Sequence, residues 1–151
     1  MTLTMQAQAK QQISENVLKW TQMLIEALKD NYREWSIRSH QGAIVSLNRT
    51  HGTSEGTHAE YHHRQIERLK NGECSIDYQV ETGKKYHKVI FVDGGGSRSV
   101  HAFIDKNTGE VYKSATWKSP AKGVRYDLRL IKDREYLLEN ADWSGGYLYA
   151  K

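Results

Sequence analysis

Apolar positions in the first third of the chain recur at helical spacing. Ile13, Val17, Trp20, Leu24 and Leu28 follow i, i+4, i+7, and Tyr32 and Trp35 continue the stripe. Glu15, Lys19, Glu26, Lys29 and Asp30 fall off it, and no Gly or Pro interrupts the run. The pattern predicts one long amphipathic helix over residues 5–35. A stripe of this kind is a core or dimer face. It is longer than one small sheet needs, so its outer end is expected to bury against a second copy of the chain, making a homo-oligomer.

The next stretch is less periodic. Ala43, Ile44, Val45 and Leu47 suggest a short strand, and the segment from Asn48 to Thr57 reads as a polar loop. Thr57 with Glu60 three residues on forms a capping box, which predicts a second helix. Ile66 and Leu69 supply its buried side, and Gly72 after Asn71 is its stop.

From Ser75 the period changes to two. Ile76, Tyr78 and Val80 alternate with polar residues, Gly83 turns the chain, and Tyr86 to Val92 is a β-prone run. Gly94, Gly95 and Gly96 make the next turn, and Val100, Ala102 and Ile104 alternate beyond it. Asp105 to Gly109 turns again, and Glu110 to Lys113 returns. Loops this short predict an antiparallel sheet of about four strands. A short helix is predicted over residues 134–141, capped by Asp133. Tyr147, Leu148 and Tyr149 would then add an edge strand. The fold class is therefore α+β: a long N-terminal helix on an antiparallel sheet, completed by a short C-terminal helix and strand. No linker divides the chain, so residues 1–151 read as one domain, with the helix at 1–35 and a basic β region at 75–132.

Composition narrows the function classes. The chain has 151 residues, 38% of them apolar, and a mean hydropathy of −0.76. Its 10% aromatic content and single Pro exclude a disordered composition. No apolar run is long enough to span a bilayer. The first residues have neither a basic start nor an apolar core of a signal peptide. Cys74 is the single cysteine, so no intrachain disulfide forms and a reducing cytoplasm is the default setting.

Net charge is +4, and it is unevenly placed. Residues 84–132 carry eleven Lys and Arg against four Asp and Glu; the remainder carries eleven against fourteen. A basic half beside a mildly acidic half points to an anionic partner: nucleic acid, a nucleotide, or an acidic protein face.

The best candidate for a binding loop in the basic half is the stretch Thr116 to Tyr126. Lys118, Lys122 and Arg125 flank Pro120 and Gly123, and converging cations with exposed backbone amides suit phosphate oxygens. Trp117 and Tyr126 offer faces on which a base would stack. The plainer reading makes Trp117, Val124 and Tyr126 plugs for the sheet edge and leaves the lysines solvated. Gly94 to Gly96 with Ser97 and Arg98 would form a further anion nest, or simply a hairpin turn; the spaced Gly-Lys-Ser/Thr of a P-loop is missing. Arg98 completes the set of candidate ligand-binding residues.

The histidines are the candidates for metal binding and catalysis. His51, His58, His62 and His63 cluster, and His58 and His62 at i, i+4 share a helix face, with Glu55, Glu60 or Cys74 as possible further ligands. The order His58-Ala59-Glu60-Tyr61-His62 is not the zincin order, because the acid stands two residues after the first His. His51-Gly52-Thr53 is half of the paired His-x-Thr signature of two-histidine phosphodiesterases, but His101 is followed by Ala102 and Phe103. Cys74 beside Glu73 lacks a basic neighbour to make a reactive thiolate. No catalytic residue, metal ligand or cofactor is assigned.

One resemblance stands on specific residues. Ser99-Val100-His101-Ala102-Phe103, Asp105-Lys106, Thr108-Gly109, Val111-Tyr112-Lys113, Trp117-Lys118 and Pro120 to Tyr126 are similar to the shared signature of a family of small tailed-bacteriophage proteins. Ala141-Asp142-Trp143 and Gly146 to Tyr149 resemble that family's C-terminus. The resemblance implies phage origin and expression in the host cytoplasm. The family lends no activity and no catalytic residue. The expectation is a non-catalytic phage accessory protein that binds nucleic acid or a nucleotide-type signal, as in countering host defence. The alternatives are an inhibitor that docks on a host enzyme, and a small His-dependent phosphodiesterase.

Overall fold

The computed structural model describes residues 4–51 and 57–149. The elements run α1 (Met5–His51), α2 (Thr57–Lys70), β1 (Asp77–Thr82), β2 (Tyr86–Val92), β3 (Arg98–Asp105), β4 (Glu110–Lys113), β5 (Tyr126–Asp127) and α3 (Ile131–Asn140), then a 3-10 turn at Gly146–Leu148. The α+β class is as expected, with a fifth strand added. The described residues fall into two compact units. One holds α1 up to Lys29 and the chain from Ile76 onward; the other holds Asp30–Ser75. Helix α1 contributes to both.

In the first unit the five strands form one antiparallel sheet in sequence order. Short turns join β1 to β4 in succession and a longer loop over residues 114–125 leads to β5, so no crossover is needed. The turn at Asp105 is set by its own side chain, whose Oδ1 accepts from the backbone N–H groups of Asn107 (2.9 Å) and Thr108 (3.2 Å). Gly109 follows at φ +80°, where an added Cβ would meet Val17 and Leu128 at 3.4 and 3.3 Å. That close approach seats α1 on the sheet. The helix stripe is fully buried at Val17, Thr21, Leu24 and Leu28. Thr21 fits there because its hydroxyl donates to the Val17 carbonyl at 2.8 Å. Trp20 instead lies under the Arg134 guanidinium of α3, 4.4 Å from it. Val89, Ile90, Ala102, Ile104, Val111, Leu128, Leu137 and Leu148 complete the core.

In the second unit α1 and α2 pack as an antiparallel pair. Ser36, Ile44, Ala59, Ile66 and Leu69 are buried there. Residues 43–47, expected as a strand, are helical. Two β-branched residues are too few to break a helix, and Ile44 extends an i, i+4 series from Ser36 through His40 that faces α2. The stop at Gly72 is as predicted. Gly72 sits at φ +88°, its N–H bonds to the Leu69 carbonyl, and that of Glu73 bonds to the Arg68 carbonyl.

Two C-terminal expectations are corrected. Helix α3 begins at Ile131, and its N-cap position, Leu130, has no side chain to cap it; Asp133 lies in the first turn and accepts from the Asp127 N–H at 2.8 Å, tying β5 to the helix. Residues 147–149 do not form an edge strand. Asp142 accepts from the N–H groups of Ser144 (3.0 Å) and Tyr147 (3.3 Å), Gly145 adopts φ +84°, and the chain coils into the 3-10 turn. Among the described residues no helix is long and apolar enough to cross a membrane.

Candidate functional site

Strand alternation and register place Tyr86 and Lys88 of β2, Phe103 of β3 and Tyr112 of β4 on one sheet face. Phe103 is only 2% exposed. The Tyr86 and Tyr112 rings stand edge-on to one another at 6.0 Å, and Tyr86 packs edge-on to Phe103 at 5.6 Å. The Lys88 Nζ lies 5.8 Å from the Phe103 ring and 4.7 Å from the ring of Trp117.

Trp117 and Lys118 reach this face from the tip of the loop between β4 and β5. The loop is locally fastened. Ser114 and Pro120 form an isolated bridge, and the N–H groups of Ala115 and Thr116 both donate to the Ser119 carbonyl at 3.0 Å. The Thr116 Oγ1 accepts from the N–H groups of Lys118 (3.2 Å) and Ser119 (3.1 Å). These bonds fix the backbone of Trp117 and Lys118 without using their side chains.

Lys84, Lys85, Lys88 and Lys118 line a concavity of about 290 Å³ with Tyr86 and Phe103. Lys85 also sits over the Tyr86 ring, 5.4 Å from its centre. Glu81 is the one acid in the lining, and it is paired with Arg98. Arg98 also lies 5.6 Å from the Trp117 ring and donates to Gln79 at 3.3 Å.

The structure separates the six sequence candidates. Trp117, Lys118 and Arg98 come together on the sheet face. Arg125 and Tyr126 point elsewhere. The Arg125 Nε donates to the Leu148 carbonyl at 2.6 Å, and its Nη1 to the carbonyls of Gly123 (2.8 Å) and Lys122 (3.1 Å). Tyr126 is 5% exposed and its hydroxyl donates to the Tyr147 carbonyl at 2.6 Å. Both therefore fasten the C-terminal segment. Lys122 is exposed beside them. The Gly94 to Gly96 turn is filled by its own acid, since the Asp93 Oδ1 accepts from Gly95 and Ser97, each at 2.9 Å. Sequence reading missed Lys84, Lys85, Tyr86 and Lys88. The signal was present in the alternation of Tyr86 and Lys88, but it needed the register against Phe103 to gain meaning.

The histidines disperse. His58 and His63 are exposed, while His62 meets His40 of α1 with Nδ1 atoms 2.8 Å apart. His51-Gly52-Thr53 and Glu55 lie outside the described residues and side chains. Cys74 is exposed. Among the described residues no three His, Cys, Asp or Glu side chains stand close enough to hold one metal ion.

The chain matches a family of unknown function, DUF7717, over residues 1–150. It belongs to that family. No curated protein and no solved structure matches it. The match takes in the α1–α2 pair as well as the sheet, so both units are common ground of the family.

Proposed function

We propose that this protein binds single-stranded nucleic acid, without catalysis, on the Lys88–Trp117 face of its sheet. One observation carries the reading: four lysines converge beside an exposed tryptophan over an aromatic floor, and the single acid among them is already paired. Lysine ammonium groups meet phosphate oxygens as point charges, and an exposed ring offers stacking to any base. An open sheet face suits an extended strand better than a closed pocket suits it. Trp117 is 41% exposed, so its ring has surface to give. The similarity of the Ser99–Tyr126 signature to tailed-phage proteins supports placing this activity in the cytoplasm of an infected bacterium, where occupying a nucleic acid or a nucleotide signal would counter host defence.

The test is fluorescence anisotropy with a labelled single-stranded oligonucleotide across a salt series. Three to four phosphate contacts predict a log–log salt slope of about −2 to −3. Replacing Lys88 and Lys118 by Ala should flatten that slope, and Trp117→Ala should weaken binding by about 1–3 kcal/mol at constant slope. Binding that ignores salt, or that survives all three substitutions, contradicts the proposal.

A further inference from the structure

The sheet carries a second cleft, built around an irregularity in β3. Val89 pairs with Ala102 and Ile90 with Val100, which leaves His101 as an extra residue in the ladder. A bulge of this kind interrupts pairing and re-aims a side chain. Here it sets the His101 ring against Tyr78 and Tyr147, with centroids 5.6 Å away in each case. The His101 Nε2 and the Tyr147 hydroxyl are 2.8 Å apart. Burial pushes the His101 pKa down to about 4, against a smaller opposing pull from Asp142, and pushes the Tyr147 phenol up. Near neutral pH the pair is therefore an uncharged imidazole and an uncharged phenol. Its Nδ1 has no hydrogen-bond partner among the described residues, and the ring lines a cavity of about 380 Å³.

The walls of that cavity are unusual for a surface dent. Phe91 and Trp143 supply aromatic rings with centroids 6.4 Å apart and planes tilted by 31°. Lys113 lies in the lining with its Nζ 4.9 Å from the Tyr149 ring, and no acid shares the lining. The volume is at the small end of the range for ligand pockets, enough for one ring system with a substituent. A neutral imidazole, aromatic walls and a single lining cation together suit a planar heterocycle bearing a single phosphate. We propose that this cleft is a nucleoside monophosphate site, with the base against Phe91 and Trp143, the His101 Nδ1 facing its polar edge, and Lys113 meeting the phosphate. It shares no lining residue with the Lys88–Trp117 concavity, so it stands or falls independently of that reading.

The experiment is calorimetric titration of the full chain with the four common nucleoside 5′-monophosphates, with adenosine and inorganic phosphate as partial ligands. Saturable one-to-one binding of at least one monophosphate is expected, with neither partial ligand matching it. Lys113→Met should weaken that binding about tenfold or more, the loss of one charge-assisted contact. Ser99→Trp places bulk at an exposed position of the lining and should block the cleft without removing core packing. The Trp117→Ala, Lys118→Ala double variant should bind the monophosphate as the parent does. A thermal melt of each variant establishes that it is folded. No binding by any monophosphate at millimolar concentration overturns the proposal. So does binding that Lys113→Met and Ser99→Trp both leave intact, or that the Trp117/Lys118 variant alone abolishes.

Discussion

Replacing Arg125 by Met should destabilise the protein and leave nucleic-acid binding unchanged. The guanidinium donates to three backbone carbonyls, and the bond to Leu148 at 2.6 Å joins the residue just before β5 to the C-terminal segment across 23 residues of sequence. Hydrogen bonds from a charged donor contribute about 1.5–3 kcal/mol each when shielded from water. Arg125 is half-buried, and the two bonds within its own loop are exposed, so only the Leu148 bond approaches that range. A total of about 2 kcal/mol follows. For a chain of this size it lowers the melting temperature by about 4–8 °C. Methionine keeps most of the aliphatic stem, so the loss reports the hydrogen bonds rather than packing. Tyr126→Phe removes the companion bond to the Tyr147 carbonyl and should cost about 1 kcal/mol. Thermal melts and oligonucleotide anisotropy on the same samples decide the matter. An Arg125→Met protein that melts like the parent but no longer binds would refute the reasoning, because Arg125 would then be a ligand contact and not a fastener.

Other outcomes are equally specific. Gly109→Ala should cost about 1–2 kcal/mol from the left-handed backbone alone, with a further penalty from the 3.3 Å approach to Leu128, and a denaturation series against the parent measures it. Acid should destabilise the fold through His101. Its folded value of about 4 lies below the ordinary 6.5, so the neutral form is favoured on folding; the stability is fully present above pH 6.5 and is lost as pH falls towards 4. The loss reaches roughly 3 kcal/mol at most, and His101→Asn should flatten it in melts across that window. His40, held down by burial and by His62, acts in the same direction in the α1–α2 pair. Trp35 is 41% exposed at the outer part of the α1 stripe; self-association through it should give a dimer by sedimentation at tens of micromolar, and a monomer there would count against it.

Much of the fold is written in local patterns. The 3.6-residue stripe around Val17, Leu24 and Leu28, the alternation from Ile76 to Ile104, and the glycines at 72 and 109 each act through neighbours in sequence. Residues 43–47 read as a strand because a short apolar run has no decisive period; packing against α2 settles it as helix. Tyr147 to Tyr149 read as a strand for a different reason: the Asp142 turn that coils them depends on side-chain bonds that periodicity does not express. The site was half legible. Composition points to Trp117 and Lys118. Lys88 becomes part of it only through the β2–β3 register, and the diversion of Arg125 depends on Leu148, which no local signal connects to it.

Photo-cross-linking tests the central claim most directly. An oligonucleotide carrying 5-bromouracil, irradiated on the full-length protein and followed by peptide mass spectrometry, reports which aromatic side chains the bases touch. The account predicts adducts at Trp117 and Tyr86, suppressed by excess unlabelled strand and by Lys88→Ala. Adducts confined to the α1–α2 pair, or to the segment around Tyr126, would contradict it.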